Sequence, residues 1–239
     1  MKIKIICILL SAVFLVAGIV IAVSYRAGLK TADLSDEALA NYKIEYLQSG
    51  ESYGSLTLIS ARDIVQNSDA IYLVEATGNR TLSENEILSE VTVKHCFKQY
   101  KDIKENETIY IYEPVKVNIY KTNRTVGGTV SGGYIMLSNF NIMEKNKTYI
   151  VFLKFFERPE EYYNYSEREQ RTFLFTDKNV GLFPCETDVN CLVINIDSTV
   201  RFYNEIREYD YITHSKERAA SYSKLQKELF EIIDYKYEP

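Results

Sequence analysis

The residues able to do chemistry are few in this sequence. Two histidines are present, His95 and His214, and four cysteines, Cys7, Cys96, Cys185 and Cys191. A histidine-dependent triad needs one of those rings beside a nucleophile and a carboxylate, and no G-x-S-x-G elbow presents a serine for that purpose. His95 falls on the apolar face of a strand-like run, as a core or rim histidine would, and His214 lies near a helix start. His95 and Cys96 are adjacent, so in a strand they point to opposite faces and cannot share a metal ion. Zinc-type spacing such as C-x₂₋₄-C is absent. No metal or cofactor is therefore expected. In an exported domain Cys185 and Cys191 suit a disulfide closing the CETDVNC loop. Other pairings with Cys96 stay open, as does the case in which every thiol is reduced.

Weaker patterns point to loops. Asp177 to Gly181 resembles a calcium loop but lacks its third ligand and its closing glutamate, which leaves a plain turn. The pairs Gly127-Gly128 and Gly132-Gly133 lack the lysine and the strand-to-helix setting of a phosphate loop. Glu157, Glu160 and Glu161 stand beside Tyr162, Tyr163 and Tyr165. Paired carboxylates can hydrolyse glycosides, though neighbours in sequence form a solvated loop just as well. Sequons at Asn79, Asn106, Asn123, Asn146 and Asn164 follow from an Asn- and Thr-rich composition.

The elements that must position these residues are legible from periodicity. Ile5 to Tyr25 carry no charge and are almost all apolar. As a helix this stretch is roughly 30 Å long, a bilayer core. Lys2 and Lys4 precede it, which keeps that end cytoplasmic and exports the rest. The expectation is an uncleaved single-pass anchor over 1–30, with Cys7 as a small apolar residue in the membrane. The alternative is secretion after signal cleavage near Ala22-Val23-Ser24.

Residues Thr31 to Gly50 read as a helix capped by Ser35 and ended by Gly50, giving a helical stalk or linker over 31–58. Ser60 to Ser68 reads as a short helix with Ser60 at its N-cap and Asp63 in its first turn. Strand-like runs follow. Ala70 to Thr77 ends at a Gly78-Asn79 turn signal, and Ile87 to Phe97 alternates. Thr108 to Val115 is β-branched and aromatic. Lys116 to Gly133 reads as a hairpin extension or a loop. Lys147 to Phe156 is apolar on both faces, as in a central strand. Arg171 to Thr176 and Leu192 to Ile196 add two more. An amphipathic helix carrying Tyr222, Leu225, Leu229, Ile232 and Ile233 lies in the C-terminal segment 199–239. The fold class expected is α+β, with a mostly antiparallel sheet curled into a barrel or sandwich over 59–198.

One stretch resembles a known group. From Ser60 to Glu157 the order is a short helix ending in Ser-Asp, then SDAIYLVEA, a strand ending in VTVKHCFK, ENETIYIYEP, and GGYIMLSNFNIMEKNKTYIVFLK. It resembles uncharacterised extracytoplasmic proteins of Gram-positive bacteria, whose domain is similar to the OB-type barrel of netrin-like and metalloprotease-inhibitor modules. The resemblance implies a five-stranded Greek-key barrel with flanking helices and a binding role. Inhibitors of that class use an N-terminal cysteine freed by signal cleavage, and none stands near Ser24, so the resemblance does not carry inhibition with it.

Charge excludes one class of partner. Formal net charge is −5, and beyond Lys2 and Lys4 the balance is 26 basic against 33 acidic residues. Nucleic acid, which demands a basic surplus, is not expected. The expected function is a non-enzymatic binding module held to the membrane, with a protein or cell-wall carbohydrate as partner. Its surface is placed around Glu113, Tyr134 and Tyr162, since tyrosine offers contact area at low entropy cost. The alternatives are a cell-envelope hydrolase using acidic residues and a structural part of an envelope assembly.

Overall fold

The computed structural model describes Gly18 and residues 33–46, 60–83, 85–121, 131–137, 139–157, 165–185, 189–194 and 202–235. The chain divides into two compact units, Met1–Ala32 and Asp33–Pro239; the elements below belong to the second. The anchor expected over 1–30 lies, but for Gly18, outside the described residues. Among those described, no helix is long and apolar enough to cross a membrane.

The fold is mostly sheet with a few helices, as the α+β reading expects. The helix expected from Thr31 to Gly50 is confined to α1 (Asp36–Ala40), capped by Ser35, whose hydroxyl accepts from the Ala38 N–H. The chain then turns into strand β1 (Lys43–Tyr46). Helical spacing misleads here because Leu34, Leu39, Tyr42 and Ile44 are all buried. The segment docks on the fold and pairs with a strand, which secures its backbone better than an isolated stalk would. Helix α2 (Ala61–Asn67) forms as its cap predicts, with Ser60 and Asp63 bonding reciprocally.

Strand β2 (Ala70–Ser83) runs straight through the expected turn at Gly78-Asn79. Gly78 instead sits at a register shift with φ +82°, a conformation that glycine adopts without strain. The turn comes later, at Asn85, and leads into β3 (Glu86–Lys98). A second register shift pairs Val74 with Val93 and Leu73 with His95, so Lys94 is one residue too many for strict alternation. That extra residue turns His95 outward. It is exposed, not on the apolar face, and its Nδ1 lies 2.8 Å from Glu105 Oε1.

Strands β4 (Thr108–Lys121) and β5 (Ser131–Leu137) form a long antiparallel hairpin, the extension reading of Lys116–Gly133. Gly133 is therefore a strand residue. A side chain there would meet the Tyr42 ring at 2.8 Å, so its bareness makes room for the docked N-terminal segment. Then come β6 (Thr148–Phe155), β7 (Thr172–Phe175), β8 (Leu182–Pro184), β9 (Cys191–Val193), β10 (Tyr211–Thr213) and helix α3 (Lys216–Ile232).

The sheet order is β1-β5-β4-β3-β2-β6-β7, and β7 also pairs in parallel with β4. Hence β2, β3 and β7 each have two neighbours, β4 and β6 have three, and the pairing path β2-β3-β4-β7-β6 returns to its start. Inside lie Tyr72, Val74, Val91, Ile109, Ile111, Val151 and Phe173, all fully buried. Helix α3 covers β8 and β10 through Tyr222, whose ring stacks between Tyr211 and Phe183, with centroids at 4.1 and 4.9 Å.

Candidate functional site

Two places gather polar side chains in a way the sequence did not show. The first is interior. Arg80 follows the irregularity at Gly78 on β2, and its side chain is only 3% exposed. Nη1 donates to Leu34 O at 3.2 Å and to Asp36 Oδ1 at 2.6 Å, while Nη2 donates to Met143 O at 2.6 Å. The Met143 N–H in turn donates to Glu113 Oε2 at 2.8 Å. Ser89 donates a short hydrogen bond to Glu113 Oε1. Nε of Arg80 is a buried donor with no partner among the described residues.

Glu113, expected on a binding surface, is thus 1% exposed and enclosed. Alternation along β4 explains the reversal: Ile109, Ile111, Glu113, Val115 and Val117 all face inward. Burial pushes its carboxyl above the ordinary value, and Arg80 with the Ser89 and Met143 hydrogen bonds offsets part of that. For Arg80 burial alone would lower the pKa, and Glu113 and Asp36 outweigh it, so the guanidinium keeps its proton. Tyr203, buried beside them, has its phenol raised by burial and then by Glu113. The cluster is a clasp. It ties the segment that begins at Asp33 to β2, β3, β4 and the chain around Met143.

The raised carboxyl makes a pH prediction. Folded Glu113 keeps its proton to a higher pH than an unfolded glutamate does. Between the ordinary value of 4.5 and the raised one, the folded form binds more protons, so this group's contribution to stability falls as pH rises. Glu113→Gln is neutral throughout and should flatten that stretch of the curve. Urea midpoints at stepped pH measure it, and an unchanged slope would show that Glu113 carries none of the dependence.

The second place is on the outer face of the strands. Tyr110 and Tyr112 alternate with the buried isoleucines of β4 and are half-buried. Arg168 is exposed and lies over the Tyr110 ring at 4.6 Å, reaching Thr81 Oγ1 at 2.8 Å. Phe156 packs against Tyr112 with centroids 5.3 Å apart, and the Tyr112 hydroxyl bonds Ser83 at 3.1 Å. The surface combines aromatic faces, a guanidinium and hydroxyls, which suits stacking and hydrogen bonding to a polar partner. The alternation of Tyr110 and Tyr112 was the signal available beforehand; Arg168, distant in sequence, was not.

The remaining expected residues scatter. Tyr134 is half-buried on β5 and pairs with Asn118, further along β4 than Glu113. Tyr162 lies outside the described residues, as do Glu160 and Glu161. Cys185 is buried just after β8 and Cys191 is half-buried on β9; both carry thiols here. Burial raises the Cys191 thiol, and a hydrogen bond from Ser223 partly counters it. His214 Nδ1 lies 3.1 Å from Ile194 O, just ahead of α3. Asp177 Oδ1 accepts from the Asn179 N–H at 2.7 Å, as a plain turn requires. Among the described residues no group of three potential ligands converges on a metal position. No family model matches the chain, and no curated protein sequence matches it.

Proposed function

We propose that the chain is a membrane-anchored extracytoplasmic binding module whose Asp33–Pro239 unit is an OB-like barrel. The barrel reading is supported by the order β2-β3-β4-β7-β6, which returns to β2 with a single parallel step between β4 and β7. The anchor reading is supported by the uncharged stretch Ile5–Tyr25 behind two lysines. No stalk is invoked, because Leu34 and Leu39 already belong to the folded unit.

The observation that carries the binding role is the outer surface of Tyr110, Tyr112, Phe156 and Arg168. A protein or wall carbohydrate is its partner, and the acidic balance speaks against nucleic acid. No catalytic role is assigned. Crosslinking in the native cell followed by fractionation tests the whole reading. The full chain should pellet with membranes and capture a partner. The Tyr110→Ala/Tyr112→Ala double variant should lose that partner while keeping its fold. A full-length chain in the cytosolic fraction would refute the anchor; undiminished capture by the double variant would refute the surface.

In an oxidising exterior we also propose the Cys185–Cys191 disulfide, which closes the CETDVNC loop. Mass spectrometry of unreduced native protein should show a peptide joining the two. Recovery of both as alkylated thiols would dismiss the bond.

A further inference from the structure

Lys147 and Asp210 meet in a recess lined in part by Ile142 and Glu144, the neighbours of Met143. Lys147 Nζ lies 2.6 Å from Asp210 Oδ1, and the two side chains are 22% and 5% exposed. Each is held by main chain. Asn146, with φ +64°, turns the chain just before Lys147, and the Lys147 carbonyl accepts from the Ala76 N–H at 3.1 Å. On the other side the Asp210 N–H donates to Asn190 O at 2.8 Å, and the Asn190 N–H donates to Asp210 Oδ2 at 3.0 Å. Tyr149, Leu182, Pro184, Tyr222, Glu144 and Arg207 line the recess beside them.

We propose that Lys147 and Asp210 condense into an intramolecular amide. A proton first passes from the ammonium to Oδ1, leaving an amine and a carboxylic acid. The amine lone pair attacks Cγ, forming the C–N bond. Charge gathers on Oδ2, where the fixed Asn190 N–H stabilises it as an oxyanion donor does. The Cγ–Oδ1 bond then breaks, Oδ1 takes a second proton from the nitrogen, and one water leaves. No oxidant or other reactant is required.

Three features favour this step over a lasting ion pair. The reacting groups are already in contact, so the loss of freedom that slows a bimolecular condensation is absent. Asp210, only 5% exposed, is largely shielded from water, the reagent of the reverse reaction. An ion pair with one partner buried gains little net stability, whereas the amide removes both charges. The bond would weld the segment before β10, and with it α3, to the turn before β6.

Proteolysis and tandem mass spectrometry of the full chain test this. The expected result is a branched peptide joining Lys147 to Asp210, one water lighter than its two parts. Lys147→Arg keeps the charge pairing but cannot form this amide, and should yield only the linear peptide at Asp210 in a chain of unchanged circular dichroism. Asp210→Ala should likewise leave Lys147 linear. Linear peptides alone at both positions in the folded wild-type chain would overturn the proposal and leave a plain ion pair.

Discussion

Replacing Arg80 by methionine is expected to remove about 3–5 kcal/mol of folding stability, the loss typical of breaking a buried charged pair from one side. The guanidinium serves Leu34 O, Asp36 and Met143 O at once. Methionine fills similar volume but donates nothing, so two main-chain carbonyls and Asp36 lose their donor. Glu113 also loses the positive charge that tempers its burial. Stability should therefore drop in urea denaturation, and hydrogen exchange should quicken over residues 34–46. Arg80→Lys should recover only part of the loss, because an ammonium lacks the planar fork that spans three acceptors. A change below about 1 kcal/mol, the range of surface ion pairs, would show the clasp to be incidental.

The second large effect belongs to Tyr222. Its truncation to alanine should cost about 3–5 kcal/mol, as for other large buried aromatics. The ring is fully buried between Tyr211 and Phe183, and its hydroxyl donates to Leu182 O at 2.6 Å. Tyr222→Phe separates the two contributions. It keeps the stack and strands one carbonyl, for about 1–3 kcal/mol. Near-ultraviolet circular dichroism and urea unfolding of the pair give both numbers. If alanine and phenylalanine variants lose equal stability, the hydroxyl matters and the stack does not.

Both predictions depend on contacts that chain order conceals. Arg80 and Asp36 are far apart in sequence and joined by a salt bridge. Glu113 falls within the expected strand Thr108–Val115, and only the phase of β4 puts it inside. His95 was assigned to the wrong face because a single bulge residue, Lys94, cannot be seen in an alternating pattern. Gly78-Asn79 has the composition of a turn, yet it serves a strand irregularity, since positive φ satisfies either use. By contrast the Ser60 cap, the strand cores at Ile87–Val93 and Thr148–Phe155, and Tyr222, Leu225 and Leu229 of the α3 stripe appeared where periodicity put them, while Ile232 of that stripe is exposed.

The sequence by itself determined part of the local structure: the strand cores of β2, β3, β4 and β6, the helix caps at Ser35 and Ser60, the α+β class, and the charge-free stretch Ile5–Tyr25. Those depend on neighbours within a few positions, through spacing, capping and side-chain entropy. Tertiary structure decided the rest. Parallel pairing of β7 with β4 closes the strand path, docking of Leu34–Ile44 turns an expected stalk into part of the core, and Glu113 moves from surface to interior. These outcomes are set by backbone hydrogen bonds and burial between residues far apart along the chain, where the strand phase that selects a face is altered by one extra residue.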